Sequence, residues 1–281
     1  MFAKYEFSSE RGGLHILILG GVHGNEIAGG IAQKEIIKKL ENGELKMKSG
    51  KVTFIPVVNE AACKADTRFI DVNLNRVVCF HRSPDNNEKK IANQLIKEID
   101  DCDIMLDLHS THCEGDVEFG FIDYPNEKNL ELLSLMPIEN ALAGWPEIYA
   151  KNGAIADCCT ERYAYLNNKA GITVECGYHK STRAVEVALN SILNVLTHYD
   201  IVDLPVVEKR KQNIIKLDSF VIKKSDGKLC RDYKHLSKIK KGEVLARYDN
   251  GENIVAEADG YIIIPNHNAN IGDEWFYLGY R

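Results

Sequence analysis

The sequence predicts an α/β fold: a mixed, mostly parallel sheet with helices on both faces, followed by a small C-terminal all-β domain. Three observations carry this. Short aliphatic runs that end in glycine or a polar residue alternate with segments of helical apolar period, the order that builds a largely parallel sheet. After Leu204-Pro205 the texture changes to short β-type runs separated by Asp226-Gly227, Lys241-Gly242, Asn250-Gly251 and Asp259-Gly260, which are turn dipeptides. A chain of 281 residues with 44% hydrophobic content can bury a core large enough for both parts. The expected boundaries are 1–204 for the sheet domain and 205–281 for the β-rich one.

Taken in order, Leu14 to Leu19 reads as a buried strand because it is short, aliphatic and stops at Gly20-Gly21. Glu26 to Leu40 follows as a helix, Lys51 to Val58 as a strand, Asn87 to Ile99 as a helix and Ile104 to His109 as a strand. Val117 to Ile122 is read as strand, Glu127 to Leu142 as helix, Gly171 to Glu175 as strand and Arg183 to Leu196 as a long amphipathic helix. Beyond residue 205, the β-type runs are Ile214 to Lys223, Glu243 to Tyr248, Ile254 to Ala258 and Gly260 to Ile264.

The chemistry gathers at the ends of the apolar strands. Gly20-Gly21-Val22-His23-Gly24-Asn25-Glu26 releases an imidazole and a carboxylate into a loop at a strand's end, where open α/β sheets bind their ligands. Zinc accepts both donor types, and a catalytic zinc takes three protein ligands plus an open position. His109, at the end of Ile104-Met105-Leu106-Asp107-Leu108-His109, is the candidate third ligand, and Asp107 lies on its face to fix its tautomer. Either histidine alone reads better as a loop residue. Two strands that both end in ligand-competent side chains do not read as core packing, and the spacing differs from the helical His-Glu-x-x-His signature.

Between these motifs runs Asn59-Glu60-Ala61-Ala62-Cys63-Lys64-Ala65-Asp66-Thr67-Arg68-Phe69-Ile70-Asp71-Val72-Asn73-Leu74-Asn75-Arg76. Any single arginine here could be solvated loop. Asn75-Arg76 before apolar Val77-Val78 suggests a fixed, partly buried pair, and guanidinium groups grip carboxylates by paired N–H donors, so Arg68 and Arg76 suit an acidic substrate beside a metal.

These motifs, in this order, resemble the succinylglutamate desuccinylase and aspartoacylase family, which is related to the zinc carboxypeptidases. The likeness covers about the first two thirds of the chain and includes Gly171-Ile172-Thr173-Val174-Glu175-Cys176-Gly177, similar to the family's strand that carries its catalytic glutamate. It implies a zinc carboxypeptidase-like fold and one Zn²⁺ per chain on His23, Glu26 and His109. It also implies that Glu175 is the general base and that Arg68, Asn75 and Arg76 contact the substrate. Arg68 would polarise the scissile carbonyl or grip a second charge. The closing run Ile264 to Gly279 resembles the family's β-domain ending, with Tyr277 as the counterpart of a substrate-facing tyrosine. Two departures leave the substrate's identity open: Asn73 stands where aspartoacylases carry an acid, and their Arg-rich stretch is reduced to Glu161-Arg162-Tyr163-Ala164-Tyr165.

The expected function is therefore a zinc-dependent amidohydrolase that deacylates a small acidic N-acyl amino acid. A carboxypeptidase-like enzyme acting on a peptide or cell-wall fragment, and a zinc-binding module without turnover, are the alternatives. A net charge of -6 supplies no basic footprint for nucleic acid. No segment has the length to span a membrane and the first residues lack a signal-type apolar run. Eight cysteines without a disulfide framework's spacing, the vicinal Cys158-Cys159 included, point to reduced thiols and a cytoplasmic protein. A homo-oligomer is compatible with all of this.

Overall fold

The computed structural model describes residues 2–151 and 158–280. The strands are β1 (Tyr5–Ser8), β2 (His15–Gly20), β3 (Lys51–Ile55), β4 (Ile104–Thr111), β5 (Phe119–Phe121), β6 (Asn140–Ala143) and β7 (Ala170–Tyr178). They continue as β8 (Asn213–Ile222), β9 (Gly227–Leu229), β10 (Ser237–Ile239), β11 (Val244–Tyr248), β12 (Asn253–Val255), β13 (Gly260–Ile263) and β14 (Glu274–Tyr280). The helices are α1 (Ala28–Glu41), α2 (Glu60–Lys64), α3 (Asn87–Asp101), α4 (Glu127–Ser134), α5 (Trp145–Lys151), α6 (Thr160–Leu166) and α7 (Thr182–His198).

Eleven strands form one sheet in the order β1-β3-β2-β4-β7-β5-β6-β8-β14-β13-β10. Its centre, β2, β4 and β7, is parallel, with Gly20 opposite Leu108 and His109 opposite Glu175. All eight residues of β4 are buried, as a strand covered on both faces requires. Alternation sends Ile104, Leu106, Leu108, Ile172 and Val174 into the core under α1 and α7, and Met105 into the core under α3 and α6. Asp107, His109, Thr173 and Glu175 fall on the second face by the same period.

Two expectations are corrected. The sheet as a whole is not mostly parallel, because five of its ten ladders are antiparallel. Nor does the C-terminal part stand apart as an all-β domain. β8 pairs in parallel with β6, and β14, β13 and β10 extend the same sheet. A core of Phe119, Leu142, Ile148, Ile215, Ile263 and Tyr277 bridges the two halves. The three-stranded sheet β12-β11-β9 is the part that pairs only with itself. Locally, the helix read over Glu127 to Leu142 stops at Ser134 and the chain re-enters the sheet at Asn140. Pro137, which cannot continue a helix, lies in the gap. The strand from Lys51 ends at Ile55, before Pro56, which has no N–H to give to a ladder.

Candidate metal centre and substrate cleft

The loop after β2 is shaped by close packing. Gly21 holds a positive φ of 57°, and a side chain at Gly24 would meet the Ala62 carbonyl carbon of α2 at 2.1 Å. A loop pressed this tightly onto α2 turns His23 and Glu26 inward, and both are buried. Helix α1 begins at Ala28, two residues beyond Glu26, so the carboxylate stays in the loop.

His23, Glu26 and His109 converge, with their ligand atoms all within 4.8 Å of one another. His23 Nδ1 lies 2.9 Å from Glu26 Oε1, His109 Nδ1 lies 2.8 Å from Glu26 Oε2, and the two Nδ1 atoms are 3.2 Å apart. The outer nitrogens have their own partners. His23 Nε2 is 3.0 Å from Asn73 Oδ1, and His109 Nε2 is 3.1 Å from Asp107 Oδ2. Asn73 Oδ1 also accepts from the Asn75 amide at 3.0 Å, and Asp107 Oδ2 from Thr160 Oγ1 at 2.6 Å, so both oxygens act as acceptors. Each Nε2 then carries its proton, and each Nδ1 can turn a lone pair toward the centre of the cluster. Two imidazole nitrogens and a carboxylate are a donor set that zinc accepts.

Electrostatics tell the same story. Burial opposes charge on Glu26, yet His23 and His109 hold its carboxyl well below the usual range. Burial likewise opposes charge on His109, and the carboxylates of Asp107 and Glu26 overcome it, raising that imidazole well above its ordinary value. His23, whose outer partner is a neutral amide, is lowered by burial.

Glu175 stands across the β4–β7 ladder from His109. Its Oε2 is enclosed without a hydrogen-bond partner, and burial, then the charge of Glu26, push its carboxyl up to about 8. Arg68 is half-exposed and pairs with Glu26 Oε1 at 2.7 Å. Asn75 is half-buried in a single turn of 3₁₀ helix, Leu74–Arg76, which Asn73 caps. Arg76 is exposed, contrary to the partly buried pair expected. Its Nη1 donates to the Asn75 carbonyl at 3.1 Å, and its guanidinium sits 5.6 Å from the Tyr149 ring centre.

Two adjoining hollows share Arg68, Arg76, Trp145, Glu175 and Ile264 in their walls. The smaller is lined by Phe121, Tyr124 and Trp145 together with Asp123 and Glu161. Burial and the neighbouring Asp123 hold the Glu161 carboxyl well above its usual range. The larger hollow adds Asn25, Ser110, Thr111, His179, Asn266 and Tyr277, among others, to its wall. Tyr277 is buried and reaches this wall from β14, bonded to Glu274 and, at 2.8 Å, to the Tyr149 hydroxyl. Trp145 packs on its ring at 4.6 Å.

The structure thus brings His23, Glu26, His109, Glu175, Arg68, Asn75, Arg76 and Tyr277 to one cleft. Trp145, Tyr149 and Glu274 carried no site signal in the sequence, and Asn73 and Glu161 stood out only within departures from the family pattern. Among the described residues no cysteine joins the cluster of His23, Glu26 and His109. No described helix is long and apolar enough to cross a membrane.

The profile of the succinylglutamate desuccinylase/aspartoacylase catalytic domain matches residues 12–198. No protein of curated description matches the sequence. Solved structures share the fold across nearly the whole chain. A succinylglutamate desuccinylase/aspartoacylase from Rhodobacter sphaeroides is 18% identical, covering 99% of this chain and 94% of that one, with a TM-score of 0.77. The product-bound ectoine utilization protein EutE (DoeB) from Ruegeria pomeroyi is 20% identical, covering 100% and 94%, with a TM-score of 0.78. The succinylglutamate desuccinylase from Vibrio parahaemolyticus is 18% identical, covering 100% and 91%, with a TM-score of 0.73.

Proposed function

The chain belongs to the succinylglutamate desuccinylase/aspartoacylase family, and on that premise we propose that it is a zinc-dependent deacylase that hydrolyses the amide bond of a small N-acyl amino acid. The observation that carries this is the conjunction of the His23, Glu26 and His109 cluster with a partnerless carboxylate oxygen of Glu175 one strand away. A zinc ion held by the three ligands would supply Lewis acidity, polarising the carbonyl and easing deprotonation of water toward neutral pH.

The chain's own groups have distinct roles in this reading. Asn75 and Arg76 receive the carboxylate of the amino-acid part, which a guanidinium fork binds by paired N–H donors. Arg68, close enough to bond Glu26 yet half-exposed, reaches the scissile carbonyl and offsets the negative charge that develops on its oxygen. Glu175 takes a proton from the attacking water as the oxygen–carbon bond forms. It returns that proton to the departing nitrogen as the carbon–nitrogen bond breaks. A divalent cation in the cluster would favour the charged form of Glu175, offsetting the burial that pushes its carboxyl up to about 8.

Tyr277 fits a substrate contact through its place in the wall of the larger hollow. The same residue supports a division of labour in which residues 1–204 carry the chemistry and 205–281 close the cleft. Free cysteines are in keeping with a cytoplasmic enzyme. A screen of N-acetyl, N-formyl and N-succinyl amino acids against short peptides, read by amine release, tests the proposal. Release from N-acyl amino acids with peptides left intact is expected. Cleavage of peptides alone would turn the reading to a carboxypeptidase-like enzyme.

A further inference from the structure

The residues that would grip the substrate sit on one irregular segment, 68–76, and a loop needs a reason to hold still. The reason lies in α3. Asn86 caps this helix through the Lys89 amide, and Glu88 in its first turn is fully buried without a lysine, arginine or histidine paired to it within salt-bridge distance among the described residues. Its Oε1 accepts from the Ile70 amide at 2.9 Å, Asn59 Nδ2 at 2.9 Å and Asn87 Nδ2 at 3.3 Å. Its Oε2 accepts from the amides of Asp71 at 3.1 Å and Val72 at 3.3 Å. The clasp is reciprocal, because Asp71 Oδ2 accepts from the Asn87 amide of α3 at 2.8 Å.

We infer that Glu88 is a positioning residue: a buried carboxylate that gathers the backbone amides of residues 70–72 and so sets Arg68 on one side and Asn73, Asn75 and Arg76 on the other. Five N–H donors converge on its two oxygens, and the carboxylate is the one side chain of this length that offers acceptors in every direction. Glutamine has the same shape but would turn an NH₂ toward N–H donors at one end, leaving two of them unpaired and adding a clash. Burial works against the charge, yet the donors of Ile70, Asn59 and Asp71 hold the Glu88 carboxyl below its usual range. Asn59 extends the clasp. Its Oδ1 caps α2, against which the His23 loop packs, so one carboxylate ties α3 to both the metal loop and the substrate loop.

The kinetic arm of the test rests on the deacylase reading, and the exchange arm does not. In the full-length protein, Glu88→Gln should speed amide hydrogen exchange at residues 70–72 toward loop rates while protection in α1 and α7 is kept. For an N-acyl amino acid substrate, KM should rise about tenfold or more with kcat falling less and zinc content unchanged, since misplaced binding groups cost affinity before chemistry. Glu88→Asp keeps the charge at shorter reach and should restore part of the protection, which also serves if the glutamine variant does not fold. Unchanged exchange at 70–72 in the glutamine variant would overturn the inference. So would equal loss of protection across the whole sheet in both variants, which would make Glu88 a general stabiliser. If wild type turned over no N-acyl amino acid, the deacylase reading would fail while the exchange result still decided the role of Glu88.

Discussion

Glu175 is where residue-scale physics and function meet most closely. A carboxylate placed on a buried strand beside Glu26, with one oxygen unpaired, is costly for folding and apt for catalysis. Glu175→Gln should keep zinc and substrate affinity and lower kcat by roughly 100-fold or more, the usual weight of a general base. A change within a few-fold, measured at saturating substrate, would place the base elsewhere. The cost to folding is measurable as well. Because its folded pKa is raised, the native state binds the proton more tightly than the unfolded state, so stability from this group is full below about 4.5 and drains away as pH rises through about 8. Zinc-stripped Glu175→Gln should therefore match stripped wild type near pH 4.5 and exceed it at pH 8 by an amount on the order of a few kcal/mol in urea unfolding. Equal stability at both pH values would show that Glu175 is better solvated than its enclosure implies. Asn73 gives the complementary lesson, since one histidine of the cluster leans on an amide and the other on a carboxylate.

At the scale of elements, what was legible in the sequence is what local pattern encodes. β2, β4 and β7 announced themselves as aliphatic runs ending in glycine or a polar residue, and the ligand candidates could be read from those ends. Local pattern does not encode long-range pairing, so the turn-rich strands after residue 205 read as a module of their own when β8 in fact adds to β6. The helix read on to Leu142 ends at Ser134, and Pro137 in the gap is the local signal against continuing it. The exposure of Arg76 and the loop anchoring by Glu88 were not legible, because lone polar residues carry no period. The loop after β2 offers an element-scale test. A methyl group at Gly24 would run into α2 backbone at 2.1 Å, and backbone cannot step aside as a side-chain tip can. Gly24→Ala should weaken zinc retention against a chelator by about tenfold or more, in line with displaced ligands. Retention equal to wild type would mean that α2, not the metal loop, yields.

Across the whole molecule, one continuous sheet joins the two halves, which should therefore unfold as one cooperative unit. Removing residues 205–281 would bare the edge of β6 and the apolar faces of Phe119, Leu142 and Ile148, so the C-terminal part is wall and scaffold together. The chain's two tryptophans fall one in each half, Trp145 and Trp275. Fluorescence of Trp145→Phe and Trp275→Phe should report coincident denaturant transitions, whereas separated midpoints would show independent domains. The cleft draws on both halves in the same way: His23, His109 and Glu175 from the parallel centre, and Glu274 and Tyr277 from β14. The account as a whole depends on one zinc acting at this cleft in amide hydrolysis. Its most direct test is amine release from an N-acyl amino acid by chelator-stripped protein as zinc is added back. Activity should be absent at the start, rise linearly and break at one equivalent of zinc per chain. Activity that survives stripping, or that zinc does not restore, would contradict it.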